Sequence, residues 1–412
     1  MKAQVERLSW ELASGHSGDA SLDRCRALLA QVLALAPGEA EAKAQLARAL
    51  GRWAELRPPQ APATQAAFRE AEALSSEALA QAPEHPTVLA IRITLLLSLG
   101  NKGAYGEDEK RMSWFQAALD LARAAQGRHP ADPAFAALIA GACMRKMTWE
   151  IHMGRTPWAS FEEGLAQAQA LRARFPNLAS AYHGLATLWV ERAEYERTHG
   201  LDPRPSVAAA LEAVSAAESR GLRLRNPAWT AGDAHLIRGQ YLLATTGDGE
   251  ADLLQAAENY RKAFRINPNL RVALNSVAEA LLGVAEGRLE RGGEVTGLLG
   301  QAEGALVDLG GRSPSPFETD HLKGRCHLLR GRLQMVSGGD PEADWRQAEG
   351  AFQRAAERTE MIKALLGSAE VQARRFQRSG QPRARARTLA LAQAVRARDP
   401  QRGEAWLWIG VV

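Results

Sequence analysis

The sequence predicts an all-α fold, a repeat solenoid of about nine long helical hairpins running through a single domain, 1–412. Three observations predict it. Prolines recur at 37, 83, 130, 176, 227, 268, 314 and, after one skipped interval, 400, a period of about 46 residues. Glycine-bearing turns fall between them at Gly15, Gly103, Gly154, Gly200, Gly247, Gly292, Gly338 and Gly380, with the proline-rich stretch 58–62 taking the place of one. Between the marks lie alanine- and leucine-rich stretches of helical period, and the alternating Val, Ile and Thr runs that signal strands are nearly absent. A compact chain of 412 residues would divide into several domains, but a solenoid packs each unit only on its neighbours, so its core grows as a line.

Each hairpin has a first helix, A, that follows a proline and a second, B, that follows a glycine turn. The A helices are predicted at 2–14, 39–55, 86–100, 133–153, 178–198, 229–245, 269–290, 317–336 and 359–378. The B helices are predicted at 21–35, 66–81, 112–127, 159–174, 206–219, 251–265, 298–309, 342–357 and 384–397, with a stub A helix from about 402. Glycine can take the left-handed conformation that ends A, and Asp202-Pro203 and Asp340-Pro341 are suited to start B. The prolines at the B-to-A turns sit where a missing N–H costs no helical hydrogen bond.

Composition narrows the function classes. The formal net charge of +4 is small for this length and gives no nucleic-acid signature. Only eight of the 51 basic residues are lysine, and the arginine, alanine, glycine and proline bias suggests a GC-rich bacterial genome. Cys25, Cys143 and Cys326 are far apart with no C-x-x-C, so buried free thiols in a reducing cytoplasm are expected. The N-terminus lacks the apolar stretch of a signal peptide, and the most apolar run, 88–99, is too short for a bilayer and broken by Arg92. A soluble cytoplasmic chain with no membrane partner is the expectation.

The packing positions carry a resemblance. After Pro176 the chain has Tyr182, Leu185, Ala186 and Trp189; after Pro268 it has Leu274, Val277, Ala278 and Leu281; after Pro400 it has Trp406, Ile409 and Gly410. The B helix before Pro268 has Ala256, Tyr260 and Ala263. This large-large-small-large and small-large-small pattern resembles the tetratricopeptide repeat, which implies a right-handed α-α superhelix with a concave groove. The repeat here is about twelve residues longer than the usual 34 or so. Long A helices, glycine turns and Asp-Pro starts in 194–211, 290–306 and 336–352 also resemble the C-terminal repeat arms of bacterial eukaryotic-like serine/threonine kinases. The kinase domain itself is missing: there is no glycine-rich strand loop with its lysine and no His-Arg-Asp, and Asp308-Leu309-Gly310 ends a B helix.

Catalytic and metal chemistry find little support. The glycine-rich run 100–106 follows a helix and no strand, so it is a turn and not a phosphate cradle. His321, Cys326 and His327 lack the i, i+4 spacing that would put ligands on one helical face, and Glu150 and His152 point to different faces. No cofactor is expected. Of ten tryptophans, Trp53, Trp149 and Trp158 lie toward hairpin tips, where an aromatic serves either packing or a binding surface.

Three surfaces remain as candidates. The tetratricopeptide resemblance places Arg48, Arg52, Arg145, His183, Glu191, Arg238, Asn275 and Glu279 along the concave groove, a polar, slightly basic set suited to an extended peptide or acidic segment and without the lysine/asparagine set of a carboxylate clamp. Between 371 and 398 stand eight arginines and no acid: Arg374, Arg375, Arg378, Arg383, Arg385, Arg387, Arg396 and Arg398. That patch suits an acidic protein segment or a phosphate backbone, but its single aromatic, Phe376, disfavours nucleic acid. At the C-terminal edge, Trp406, Ile409 and Gly410 are expected to face inward, leaving Trp408, Val411 and Val412 for self-association or a partner helix. The function expected from these features is a non-enzymatic protein-interaction scaffold in bacterial signalling. The alternatives are a regulatory or substrate-recruiting arm of a kinase system and an enzyme with an unrecognised site.

Overall fold

The helical stretches fold as their period requires. In the computed structural model the described residues are 1–13, 17–36, 38–55, 57, 61–103, 108–222, 226–268, 270–309, 316–359, 362–398 and 403–412. Among them are nineteen α-helices and no strand. They are α1 (Lys2–Ala13), α2 (Asp19–Leu35), α3 (Ala40–Glu55), α4 (Pro62–Gln81), α5 (Pro86–Ser98), α6 (Asp108–Arg128), α7 (Pro133–His152), α8 (Trp158–Arg174), α9 (Ala179–Thr198) and α10 (Arg204–Glu218). The series continues with α11 (Pro227–Thr245), α12 (Glu250–Ile266), α13 (Val272–Glu290), α14 (Thr296–Leu309), α15 (Pro316–Val336), α16 (Glu342–Thr359), α17 (Ile362–Ser379), α18 (Pro382–Arg398) and α19 (Gly403–Val411). Odd-numbered helices are the A helices, even-numbered ones the B helices, and α19 is the stub.

The helix starts refine the sequence reading. Helices α4 and α18 begin on Pro62 and Pro382, earlier than expected, because a ring with φ already near the helical value is favoured in the first turn. Left-handed glycines close α7, α9, α11, α13, α15 and α17 at Gly154, Gly200, Gly247, Gly292, Gly338 and Gly380. Two marks need correction. In the first hairpin the left-handed glycine described is Gly18, and Gly15 lies outside the described residues. In the third, Gly103 belongs to a π-helical turn, Leu99–Gly103. There Gly100 is required by contact: a Cβ would run into the Phe115 ring. Pro37, residues 58–60, Gly310, Pro314 and Pro400 also lie outside the described residues.

The helices form two compact units: residues 1–191 with 213–225 and 267–269, and residues 192–212 with 226–266 and 270–412. Within the first, bonds join equivalent places one repeat apart. Arg128 donates to the Pro83 carbonyl at 3.2 Å, Arg174 to the Pro130 carbonyl at 2.8 Å, and Arg123 grips Glu163 through two bonds of 2.6 and 2.7 Å. The second unit repeats the device, Arg291 donating to the Gly247 carbonyl at 2.7 Å. Its largest apolar cluster runs from Leu253 on α12 to Leu329 on α15. The packing positions after Pro176 and around Pro268 are filled as the repeat pattern requires, with Trp189 partly buried. Tyr182, Leu185, Ala186, Leu274, Val277, Ala278, Leu281, Ala256, Tyr260 and Ala263 are all buried. Cys25, Cys143 and Cys326 are buried free thiols. No helix among the described residues is long and apolar enough to cross a membrane.

Candidate functional site

The residues expected along the concave groove are divided between the two units, and most are engaged inside the chain. Arg48 holds Glu6 at 2.8 Å and Arg52 lies 3.7 Å from Glu55, while Arg145 is exposed. His183 and Glu191 are partly buried and engaged with other residues. In the second unit Arg238 clasps Asp252 at 2.6 and 2.9 Å. Asn275 is buried, accepting from Thr319 Oγ1 at 3.0 Å, and Glu279 accepts from Gln240 at 3.4 Å. The expectation of an open row is therefore corrected for Arg238 and Asn275, whose polar groups tie helices together. The same holds next door on α13, α15 and α17, where Arg332 faces Glu286, Glu290 and Glu370 at 3.3 to 3.8 Å.

The arginine patch behaves differently. Arg375 and Arg378 on α17 and Arg383 and Arg387 on α18 meet Arg346 of α16 around a groove of about 670 Å³. Its floor includes the buried Trp345, Gln372 and Ala384. The turns explain the convergence. Gly338 and Gly380 reverse the chain with positive φ, so the first turns of α16 and α18 meet the last turns of α17. Spacings of three and four residues then put Arg375 with Arg378, and Arg383 with Arg387, on one face each.

Among the described residues, three carboxylates answer these five arginines. Arg375 reaches Glu349 at 2.6 Å and Glu342 at 2.8 Å; burial works against its charge, and the two carboxylates outweigh that and strengthen it. Arg378 lies 2.7 Å from Asp340, whose carboxyl it holds below the usual range, and Arg387 lies 2.8 Å from Glu349. Arg346 is exposed and, among the described residues, donates to the Glu342 carbonyl at 3.4 Å and acts through space on Asp340. Arg383 is exposed and has no ion pair among the described residues. It stands in the first turn of α18, which holds no acid and where a helix dipole favours negative charge. The groove thus has unmet positive charge from side chains and from a helix end together.

The other arginines of the run do not join it. Arg374 pairs with Glu370 at 3.3 Å, Arg385 donates to the Val412 carbonyl at 2.6 Å, and Arg396 covers the Trp406 ring at 3.6 Å. The side chain of Arg398 lies outside the described residues. The sequence reading missed Arg346, because α16 is rich in compensating acids. Arg346, Gly350 and Arg354, spaced by four, are the signal that could have found it.

At the C-terminal edge the face expected to point inward is corrected. Ala405 is fully buried, and Trp408 packs with it against the Leu366–Val395 cluster. Trp406 and Leu407 are the exposed large residues, and Val411 and Val412 are half-buried. Small Ala405 lets α19 approach closely, which rotates Trp406 outward. The tip tryptophans are tied down: Trp53 donates to Asp19 at 2.7 Å under Arg57, Trp149 lies beneath Arg111, and Trp158 packs edge-on to Phe161. His321 packs tilted against Phe352, Cys326 is in the core and His327 bonds Asp344 at 3.0 Å, so the three serve separate contacts.

Together these features define the class as a helical-repeat protein with an arginine-lined groove. No family model and no curated protein matches the chain. Among solved structures, the human IFIT1 dimer with PPP-AAAA is similar at 14% identity, TM-score 0.52, over 96% of this chain and 78% of that one. The human IFIT1 dimer with m7Gppp-AAAA is similar at 15% identity, TM-score 0.52, over 95% and 76%. A tetratricopeptide repeat protein from Parabacteroides merdae ATCC 43184 aligns at 12% identity, TM-score 0.38, over 71% and 88%. At these identities the likeness to IFIT1 extends to the fold.

Proposed function

We propose that the chain is a non-enzymatic protein-interaction scaffold whose partner presents an acidic segment to the groove between α16, α17 and α18. The observation that supports this is the charge imbalance there, five arginines facing three carboxylates beside the start of α18. Arginine forks bind carboxylates in a fixed, planar geometry, and packed helices hold those forks without a large ordering cost. The repeat period continues through both units, as a scaffold built by repetition requires. A cytoplasmic bacterial signalling setting is part of the proposal, resting on the arginine-rich composition and the likeness of 194–211, 290–306 and 336–352 to kinase repeat arms.

Fluorescence anisotropy of a glutamate-rich peptide with the full chain and with Arg383→Glu tests the reading. Saturable binding that weakens in the variant supports it, and equal binding by both proteins contradicts it. Because IFIT1 is held with RNA in the similar structures, a 5′-triphosphate oligoadenylate is the necessary competitor. Preference for that RNA over the peptide would replace the protein partner with a nucleic acid.

A further inference from the structure

A second basic hollow, of about 310 Å³, lies between α15 and α16. It is lined by Lys323 and His327 of α15 and by Arg346, Gln347, Gly350, Ala351 and Arg354 of α16. Arg346 lines both hollows, so the two are joined across a single helix. Lys323 has no ion pair among the described residues. Arg354 is half-exposed and makes one loose contact with Asp320, at 3.4 Å. Asp344, the acid in contact with His327 of this lining, is buried.

Gly350 keeps this hollow open. Glycine inside a helix is unfavourable relative to alanine, and nothing here forbids a side chain. A Cβ at Gly350 would meet only Arg354 Nη1, at 3.6 Å. Glycine is demanded by packing at Gly324 and Gly367, whose Cβ atoms would strike Phe352 at 2.6 and 2.5 Å. At Gly350 its effect is to leave space between two arginines.

We infer that the partner's acidic segment is extended and crosses α16, placing carboxylates in both hollows with Arg346 between them. The inference rests on the function proposed above and adds the form of the ligand. A helix is about 10 Å across, and an extended chain advances about 3.3 Å per residue, so about three or four residues make the crossing. A single compact anion cannot bridge the two hollows, whereas a segment of about ten residues with acids at both ends can.

The test uses the full chain and two labelled peptides, one of about ten residues with glutamates at both ends and one of about four residues. Lys323→Glu and Gly350→Leu, the latter filling the hollow, are expected to weaken the long peptide about fivefold and leave the short one unchanged. Gly350→Ala, with the hollow still largely open, is the control, and a single cooperative melt at or above the parent's melting temperature shows that each variant is folded. Arg383→Glu is expected to weaken both peptides. If Lys323→Glu and Gly350→Leu leave the long peptide unaffected while Arg383→Glu weakens both, the crossing is wrong and the groove stands. If Arg383→Glu affects neither peptide, the groove reading fails and the crossing with it. Displacement of the long peptide by an equimolar oligoadenylate overturns both.

Discussion

The imidazole Nδ1 of His235 lies 2.7 Å from Asp252 Oδ1, and two repeats further on His327 makes the same contact with Asp344 at 3.0 Å. In each case an arginine three residues after the histidine faces the same carboxylate, Arg238 at 2.6 Å and Arg330 at 3.9 Å. In the repeat between them the equivalent places are Leu281, Val284 and Leu298, all buried in the apolar core. One A–B junction is thus closed by charge, the next by packing and the third by charge again. The hairpin tolerates either solution because both fill the same space.

Asp252→Asn is expected to destabilise the protein by about 1–2 kcal/mol at neutral pH, the scale of a charge-assisted hydrogen bond partly open to solvent. Burial raises the Asp252 carboxyl, but hydrogen bonds from Arg238 and His235 outweigh it and leave the group below its ordinary value of 3.8. A carboxyl lowered on folding stabilises fully above its unfolded value and loses that stabilisation as pH falls through the folded one. Urea unfolding at a series of pH values is therefore expected to show the parent and D252N converging below pH 3.8.

Three glycines separate packing from propensity. Gly324→Ala and Gly367→Ala push against the buried Phe352 ring and are expected to cost about 1–3 kcal/mol each. Gly350→Ala meets open space and is expected to gain up to about 1 kcal/mol. Thermal melts of the three variants check the signs, and equal shifts would show that Phe352 is not wedged between α15 and α17.

The thiols are expected to be inert in the native protein. Burial pushes both Cys143 and Cys326 up to about 12, and raises Cys25 as well. Little thiolate therefore exists at neutral pH, and a thiol-specific disulfide reagent is expected to label none of the three quickly until denaturant is added. Fast labelling without denaturant would mean that a core helix opens readily.

The architecture was legible because proline and glycine fix backbone geometry locally, whatever the fold around them. The period, the helices and the burial of Tyr182, Val277 and Tyr260 follow from that. The partners of charged groups were not legible. Arg48 is taken by Glu6 and Arg238 by Asp252, pairings made on a neighbouring helix that no local pattern reveals. The arginine run was visible, yet only the turns at Gly338 and Gly380 decide which of its members face Arg346. At α19 the tetratricopeptide pattern misled, because Ala405 sets the contact face and Trp406 turns out beneath Arg396.

Calorimetric titration of a glutamate-rich peptide into the full chain at rising sodium chloride, beside the double variant Arg346→Glu/Arg383→Glu, tests the arginine groove most directly. Affinity is expected to fall with salt, as screening of exposed charges requires. At low salt the double reversal is expected to weaken binding about tenfold or more, with thermal melting unchanged. Binding of equal strength in both proteins, or binding that does not respond to salt, would contradict a scaffold that works through this groove.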